Sequence, residues 1–238
     1  MTDRVKPVVM KFGGTSVADP EAIRRLTAIV LRRSGPRLVV VSALAGITDR
    51  LLEMAELAAT GFAAAASREL SDIDCCHRGA ASVVMDSVRR SALTRKLRQT
   101  IDELDIDLRG IVASSELTAR VCDRVVATGE LLSSQIVAAA LQDAGLRGVW
   151  VDARRVLVTD GAYSHARPLT AETRARVSEE LSPYLDHGYV PVVGGFVGAS
   201  ASGETTTLGR GGSDYSLPSL ARVSMPGRFR SGPTWTAC

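Results

Sequence analysis

The sequence predicts an α/β protein, a three-layer α/β/α sandwich around a mainly parallel sheet. Three observations predict it. Short, almost continuously apolar runs recur at 8–12, 38–42, 148–151 and 189–193, as strands buried on both faces require. Segments with helical spacing of apolar residues separate them. Strands alternating with helices call for crossover connections and a parallel sheet. The chain has 238 residues, of which 45% are hydrophobic and 23% charged, enough for one large domain.

The first strand, 8–12, runs into Lys11-Phe12-Gly13-Gly14-Thr15-Ser16. Two glycines let the backbone approach a ligand and reach positive φ. Backbone N–H groups, hydroxyls and a lysine can converge there on phosphate oxygens. Neither a Walker A loop nor a G-x-G-x-x-G fingerprint is present. By itself the segment reads first as an ordinary βα turn with a solvated lysine. Asp19 and Pro20 then read as N-cap and first residue of a helix. Its inward face is Ile23, Leu26, Val30 and Leu31.

The second strand opens onto Val41-Ser42-Ala43-Leu44-Ala45-Gly46-Ile47-Thr48-Asp49. Small residues and hydroxyls stand there at the usual ligand-binding edge of a parallel sheet. Thr48 alternatively reads as a plain N-cap. Residues 51–108 are rich in Ala, Leu, Arg and Glu and contain no convincing strand, so they read as a helical insertion. A helix over 129–144 follows, with Thr128 as N-cap and Gly145 closing it. Its inward residues are Leu131, Leu132, Ile136, Val137 and Leu141. Glu130 would then lie in a first turn, where a carboxylate complements the helix dipole. Residues 171–181 read as a polar-faced surface helix.

After the strand at 189–193 comes Gly194-Gly195-Phe196-Val197-Gly198. Three glycines around one aromatic favour a close approach to a ligand over a plain hairpin or strand exit. The run Thr205-Thr206-Thr207-Leu208-Gly209-Arg210-Gly211-Gly212-Ser213-Asp214-Tyr215-Ser216 adds an arginine suited to bidentate binding of carboxylate or phosphate.

Composition excludes several classes. A net charge of +3 with dispersed Lys and Arg, and only 4% aromatics, argue against nucleic acid. No run of 18 apolar residues suggests a membrane span. Cys75-Cys76-His77 is the only cysteine cluster, and adjacent cysteines make poor zinc ligands, so no metal site is expected. Without a secretory signal, a reducing cytoplasmic setting is expected.

Taken together, K-F-G-G-T-S, V-S-A-x-A-G-I-T-D, the G-E pair, G-G-F-x-G and T-L-G-R-G-G-S-D-Y-S resemble the aspartate kinases of the amino-acid kinase superfamily, in that family's order. The resemblance runs from Val8 to Ser216, about nine-tenths of the chain. It implies the amino-acid kinase fold and transfer of the γ-phosphoryl group of ATP, carried with Mg²⁺, to the β-carboxylate of L-aspartate. The product, 4-phospho-L-aspartate, feeds lysine, threonine, methionine and diaminopimelate synthesis. A carboxylate acceptor is already ionised at neutral pH and needs no general base. Alignment and charge neutralisation would then carry the catalysis.

By the same resemblance, Lys11, Gly13, Gly14 and Ser16 would hold the transferring phosphate. Arg210 would grip the substrate α-carboxylate and Glu130 its α-ammonium. Ser42, Thr48, Phe196, Gly211, Ser213 and Asp214 would complete the aspartate site, with Asp214 catalytic or orienting Lys11. Magnesium would rest on ATP phosphates rather than on a protein site. Such enzymes are usually homo-oligomers.

The likeness stops after Ser216. Residues 217–238 carry Pro218, Pro226 and Pro233 and no helical or strand period. The expectation is a kinase domain over 1–216, incomplete at its C-terminus, followed by a tail and lacking ACT regulatory domains. The tail is either a shortened, disordered end or the product of a reading-frame change. Codons for 232–238, read one base earlier, can encode W-T-D-V-D-G-M, a family motif. On that footing the isolated chain is expected to have little kinase activity and poor solubility. The alternatives are a non-catalytic product of a damaged gene and a sister amino-acid kinase.

Overall fold

A computed structural model describes residues 7–208. Four strands, β1 (Val8–Phe12), β2 (Arg37–Val41), β3 (Gly148–Trp150) and β5 (Val190–Gly194), form one sheet in the order β1-β2-β5-β3. Every pairing in it is parallel. Its strands alternate between two packed faces, as a period of two dictates. Val39, Val41, Val190 and Val192 join one apolar cluster, while Leu38, Val40 and Val193 join another. Helices α1 (Pro20–Arg32), α2 (Ile47–Ala59), α3 (Ala63–Ala81), α4 (Ser87–Ser114) and α5 (Ala119–Asp143) build the first cluster. On the other side lie α6 (Thr170–Glu180) and α7 (Ser182–Asp186). Three layers result, as the sequence predicts.

A smaller sheet holds β4 (Val158–Thr159), β6 (Val197–Ser200) and β7 (Thr205–Thr207). β4 runs parallel to β6, and β6–β7 is an antiparallel hairpin. The sequence reading missed all three strands. They are two to four residues long and rich in Gly, Ser and Thr, so they look like loop. Their stability comes from neighbours rather than from β propensity.

Local chemistry sets most helix ends. Asp19 caps α1 by accepting the Ala22 N–H at 2.8 Å, with Pro20 next. Ile23, Leu26 and Val30 are buried as expected, but Leu31 is 50% exposed and Ala22 and Thr27 take the inner face instead. The expected start of the long helix is corrected by ten residues. α5 begins at Ala119, where the Thr118 hydroxyl accepts the Val121 N–H. Thr128 is no cap: its hydroxyl donates to the Arg124 carbonyl within the helix. Glu130 therefore lies mid-helix, out of reach of any dipole effect at an end. Gly145 closes α5 at φ +86°, with the Leu146 N–H on the Leu141 carbonyl.

Thr48 is likewise not a cap. That place falls to Gly46 at φ +77°, and Thr48 lies exposed in the first turn of α2. α5 is the one described helix long and apolar enough to cross a membrane, and 83% of its apolar window is buried inside the molecule. Its apolarity is that of a central helix covered on several sides. Cys75 and Cys76 are exposed while His77 is fully buried in α3. No group of His, Cys, Asp and Glu suited to a metal occurs among the described residues.

Candidate functional site

In a parallel sheet, all strands deliver their carboxyl ends to one edge. Here β1, β2 and β5 are neighbours, with Phe12 beside Val41 and Val41 beside Gly194. Three of the glycine-bearing segments singled out in the sequence follow these ends. Hydrogen bonds lock them together: the Ser42 N–H donates to the Phe12 carbonyl at 3.1 Å, and the Gly195 N–H to the Val41 carbonyl at 3.0 Å.

The first turn differs in detail from expectation. Gly13 is extended at φ −73°, and positive φ occurs at neither Gly13 nor Gly14. A Cβ at Gly14 would lie 3.0 Å from the Ala43 carbonyl oxygen, whereas one at Gly13 would meet open space. Gly14 therefore lets the β1 and β2 loops pack back to back, and Gly13 has open space beside it. Ser16 sits in the short 3-10 turn 14–17 and donates its N–H to the Gly13 carbonyl.

α5 lies against these loops. A Cβ at Gly129 would fall 2.9 Å from the Ala43 Cβ, so this glycine serves close packing, not helix initiation. Ser133 donates its hydroxyl to the Ser42 carbonyl at 2.8 Å. Between them Glu130 is only 4% exposed. Its Oε2 accepts the Phe196 N–H at 2.7 Å. A Cβ at Gly194 would lie 2.8 Å from that oxygen. The close approach anticipated at 194–198 is thus made by the protein's own carboxyl group, and the segment also enters the β6–β7 hairpin.

Burial pushes the Glu130 carboxyl up to about 8; the Phe196 and Gly195 N–H groups, the nearby Lys11 ammonium and the Val197 N–H oppose that rise. The electrostatic influence brings Lys11 of β1 into the surroundings of Glu130. Lys11, Gly13, Gly14, Ser42 and Phe196 thus stand at or just beyond the carboxyl ends of β1, β2 and β5, with Glu130 of α5 hydrogen-bonded there through Phe196. Thr48 lies exposed in the first turn of α2. Arg210, Gly211, Ser213 and Asp214, with the whole of 209–238, lie outside the described residues.

Sequence reasoning missed Asp123. It is 2% exposed on α5 and accepts the Ser164 N–H at 2.9 and 3.0 Å, the Thr207 N–H at 3.0 Å and the Thr207 hydroxyl at 2.7 Å. The available signal was its seven-residue spacing from Glu130, two turns along one helix face.

Known proteins resemble the chain over most of its length. The model of the amino acid kinase family matches residues 6–224. Lysine-sensitive aspartokinase 3 of Escherichia coli (strain K12) is 35% identical over 218 residues, covering 91% of this chain and 46% of that protein. Bifunctional aspartokinase/homoserine dehydrogenase 1, chloroplastic, of Arabidopsis thaliana is 33% identical, covering 90% and 24%. The crystal structure of E. coli aspartokinase III in complex with aspartate and ADP superposes with a TM-score of 0.83 at 31% identity, covering 92% of this chain and 47% of that one. The chain spans about half the length, or less, of the curated relatives it matches. With the family match running almost from end to end and the three-layer architecture agreeing with it, the chain belongs to the amino acid kinase family.

Proposed function

We propose that this chain is the acceptor-binding part of an aspartate kinase, which moves the γ-phosphoryl group of ATP onto the β-carboxylate of L-aspartate. The observation that carries the reading is Glu130, a buried carboxyl group at the carboxyl ends of β1, β2 and β5, under the influence of Lys11. Among the described residues the Glu130 carboxyl is held by backbone N–H groups, and a buried acid so held suits a ligand that brings a cation. The α-ammonium of an amino acid is such a group. Lys11 beside the glycine turn suits an anion, and charge neutralisation is what phosphoryl transfer asks of a protein. The resemblance of the motifs, and a related enzyme crystallised with aspartate and ADP, support the same substrates.

Each residue then has a role. Glu130 receives the α-ammonium, losing its proton as the cation arrives. Phe196 holds Glu130 through its N–H, and Gly194 leaves the space that carboxyl group occupies. Gly13 allows close backbone approach to the phosphates, Gly14 holds that turn against the β2 loop, and Lys11 and Ser16 lie beside them. Ser42 and Thr48 border the acceptor. Arg210, Gly211, Ser213 and Asp214 are proposed for the α-carboxylate and for orientation on motif grounds. Magnesium would ride mainly on the nucleotide phosphates, as that ion usually does. On this reading the setting is cytoplasmic and the working form a homo-oligomer.

Calorimetric titration of the purified chain with L-aspartate and with L-malate, which lacks the ammonium, tests the proposal. L-aspartate should bind at least about tenfold more tightly, and Glu130→Gln should erase the difference. Equal binding of the two ligands would overturn the role of Glu130. Preference for L-glutamate or N-acetyl-L-glutamate over L-aspartate would move the chain to a sister kinase.

A further inference from the structure

The face of α5 that meets the small sheet carries Arg120, Asp123, Ala127 and Glu130, spaced three, four and three residues apart. That spacing makes one continuous stripe along a helix. Each polar member of it holds a different part of the β6–β7 hairpin. Arg120 pairs with Glu204 in the turn at 2.8 Å. Asp123 takes both the N–H and the hydroxyl of Thr207 at the end of β7, together with the Ser164 N–H. Glu130 takes the Phe196 N–H just before β6. Ala127, fully buried, lets the helix come close between them.

The two carboxyl groups are linked by a short path. Val197 pairs with Thr207, and the Leu208 N–H donates to the Phe196 carbonyl at 3.1 Å. Phe196 and Leu208 also pack together beside Leu157 and Ala166. Asp123 therefore fixes one strand of the hairpin base at Thr207, and that strand holds the peptide whose N–H reaches Glu130. Ser164, whose N–H closes the cage, has φ +66°. A non-glycine residue in that region is strained and persists only where its surroundings hold it.

We propose that Asp123 is a positioning residue for the site: by clamping Thr207 it holds Phe196 in place, and Phe196 in turn holds Glu130. It deepens the reading given above, because Glu130 is the group it serves. The groups facing these two acids are few among the described residues. Lys11 of β1 acts on Glu130, while Asp123 meets only N–H and hydroxyl donors, with the Cys122 thiol beside it.

The test follows the Glu130 carboxyl carbon by nuclear magnetic resonance through a pH titration, assigned with Glu130→Gln. In Asp123→Asn the amide offers one acceptor oxygen where four donor contacts stood. The Glu130 midpoint should rise by about one pH unit as its backbone donor is loosened. Thr207→Val keeps the shape and the N–H but removes the hydroxyl. It should shift the midpoint the same way by less, and serves where Asp123→Asn does not fold. Arg120→Ala cuts the exposed contact to the same hairpin and should leave the midpoint unmoved. An unmoved midpoint in Thr207→Val and Asp123→Asn, with lower thermal stability, would make Asp123 a structural clamp only and overturn the proposal. This readout needs no ligand: failure of the wild-type chain to bind L-aspartate would end the functional reading without touching it.

Discussion

Glu130 is a buried carboxyl group, and on the proposed reading its neutral and charged forms suit the empty and the occupied site. Empty, the buried group favours its proton, with a midpoint raised to about 8 from an ordinary value near 4.5. The folded chain therefore holds more protons than the unfolded one between those two values. Stability from this group is full below the unfolded value, declines as pH rises, and is gone above the folded value. The steepest loss is about 1.4 kcal/mol per pH unit. The expected result is a urea midpoint that falls between pH 5.5 and pH 8.5, with a visibly smaller fall in Glu130→Gln. Equal slopes for the two proteins would refute it. L-aspartate binding should strengthen over the same interval, because the charged carboxylate is the form that takes an ammonium. Gly194 belongs to the same account, since any side chain there would collide with the Glu130 oxygen.

Among the elements, α5 is the one that assembles the site. It runs from the carboxyl ends of the strands, where Gly129 and Ser133 meet the β2 loop, to the start of β3, where Ala138 and Gln142 meet Gly148. It buries sixteen of its residues and presents Glu130 to the strand ends and Asp123 to the hairpin. Its length was hidden in the sequence. Thr128 and Gly129 read as the start of a helix, yet tertiary contacts account for Gly129 and for the polar residues Ser133, Ser134 and Gln135 that follow it. Ser133 binds the Ser42 carbonyl, Ser134 accepts the Trp150 indole N–H, and Gln135 donates to Thr100. Packing decided against local propensity. Gly129→Ala checks this. Alanine would favour a helix by about 1 kcal/mol, but its Cβ would meet Ala43 at 2.9 Å, Leu51 at 3.2 Å and Ile47 at 3.3 Å. Overpacking costs about 1–3 kcal/mol, so the variant should unfold at lower urea than wild type. A gain in stability would mean that the loop yields freely. The strands β1, β2, β3 and β5 were legible because buried parallel strands are continuous apolar runs. The strands of the hairpin were not, because Gly198, Thr205, Thr206 and Thr207 owe their place to partners far along the chain.

For the molecule as a whole, stability rests on the two apolar clusters flanking the main sheet. The surface ion pairs matter less. Leu141 is fully buried in the larger cluster, and Leu141→Ala should cost about 2–5 kcal/mol through lost burial and the cavity left behind. Arg98→Ala breaks a pair with Asp102 in which both side chains are more than half exposed, and should cost less than about 0.5 kcal/mol. Denaturant unfolding of the two variants separates them, and comparable losses would contradict this division.

The same division explains what was readable. Sequence alone determined the fold class, the four main strands, the capped start of α1, and which glycine-bearing segments to watch. These follow from periodicity and local backbone chemistry, which act over a few residues. Only the tertiary structure decided that Glu130 is buried mid-helix, that Gly14, Gly129 and Gly194 serve close contacts within the protein, and that Asp123 matters at all. Each of those outcomes depends on atoms 29 to 86 residues apart in the chain. Burial and electrostatic strength are properties of such neighbours, which no local pattern encodes.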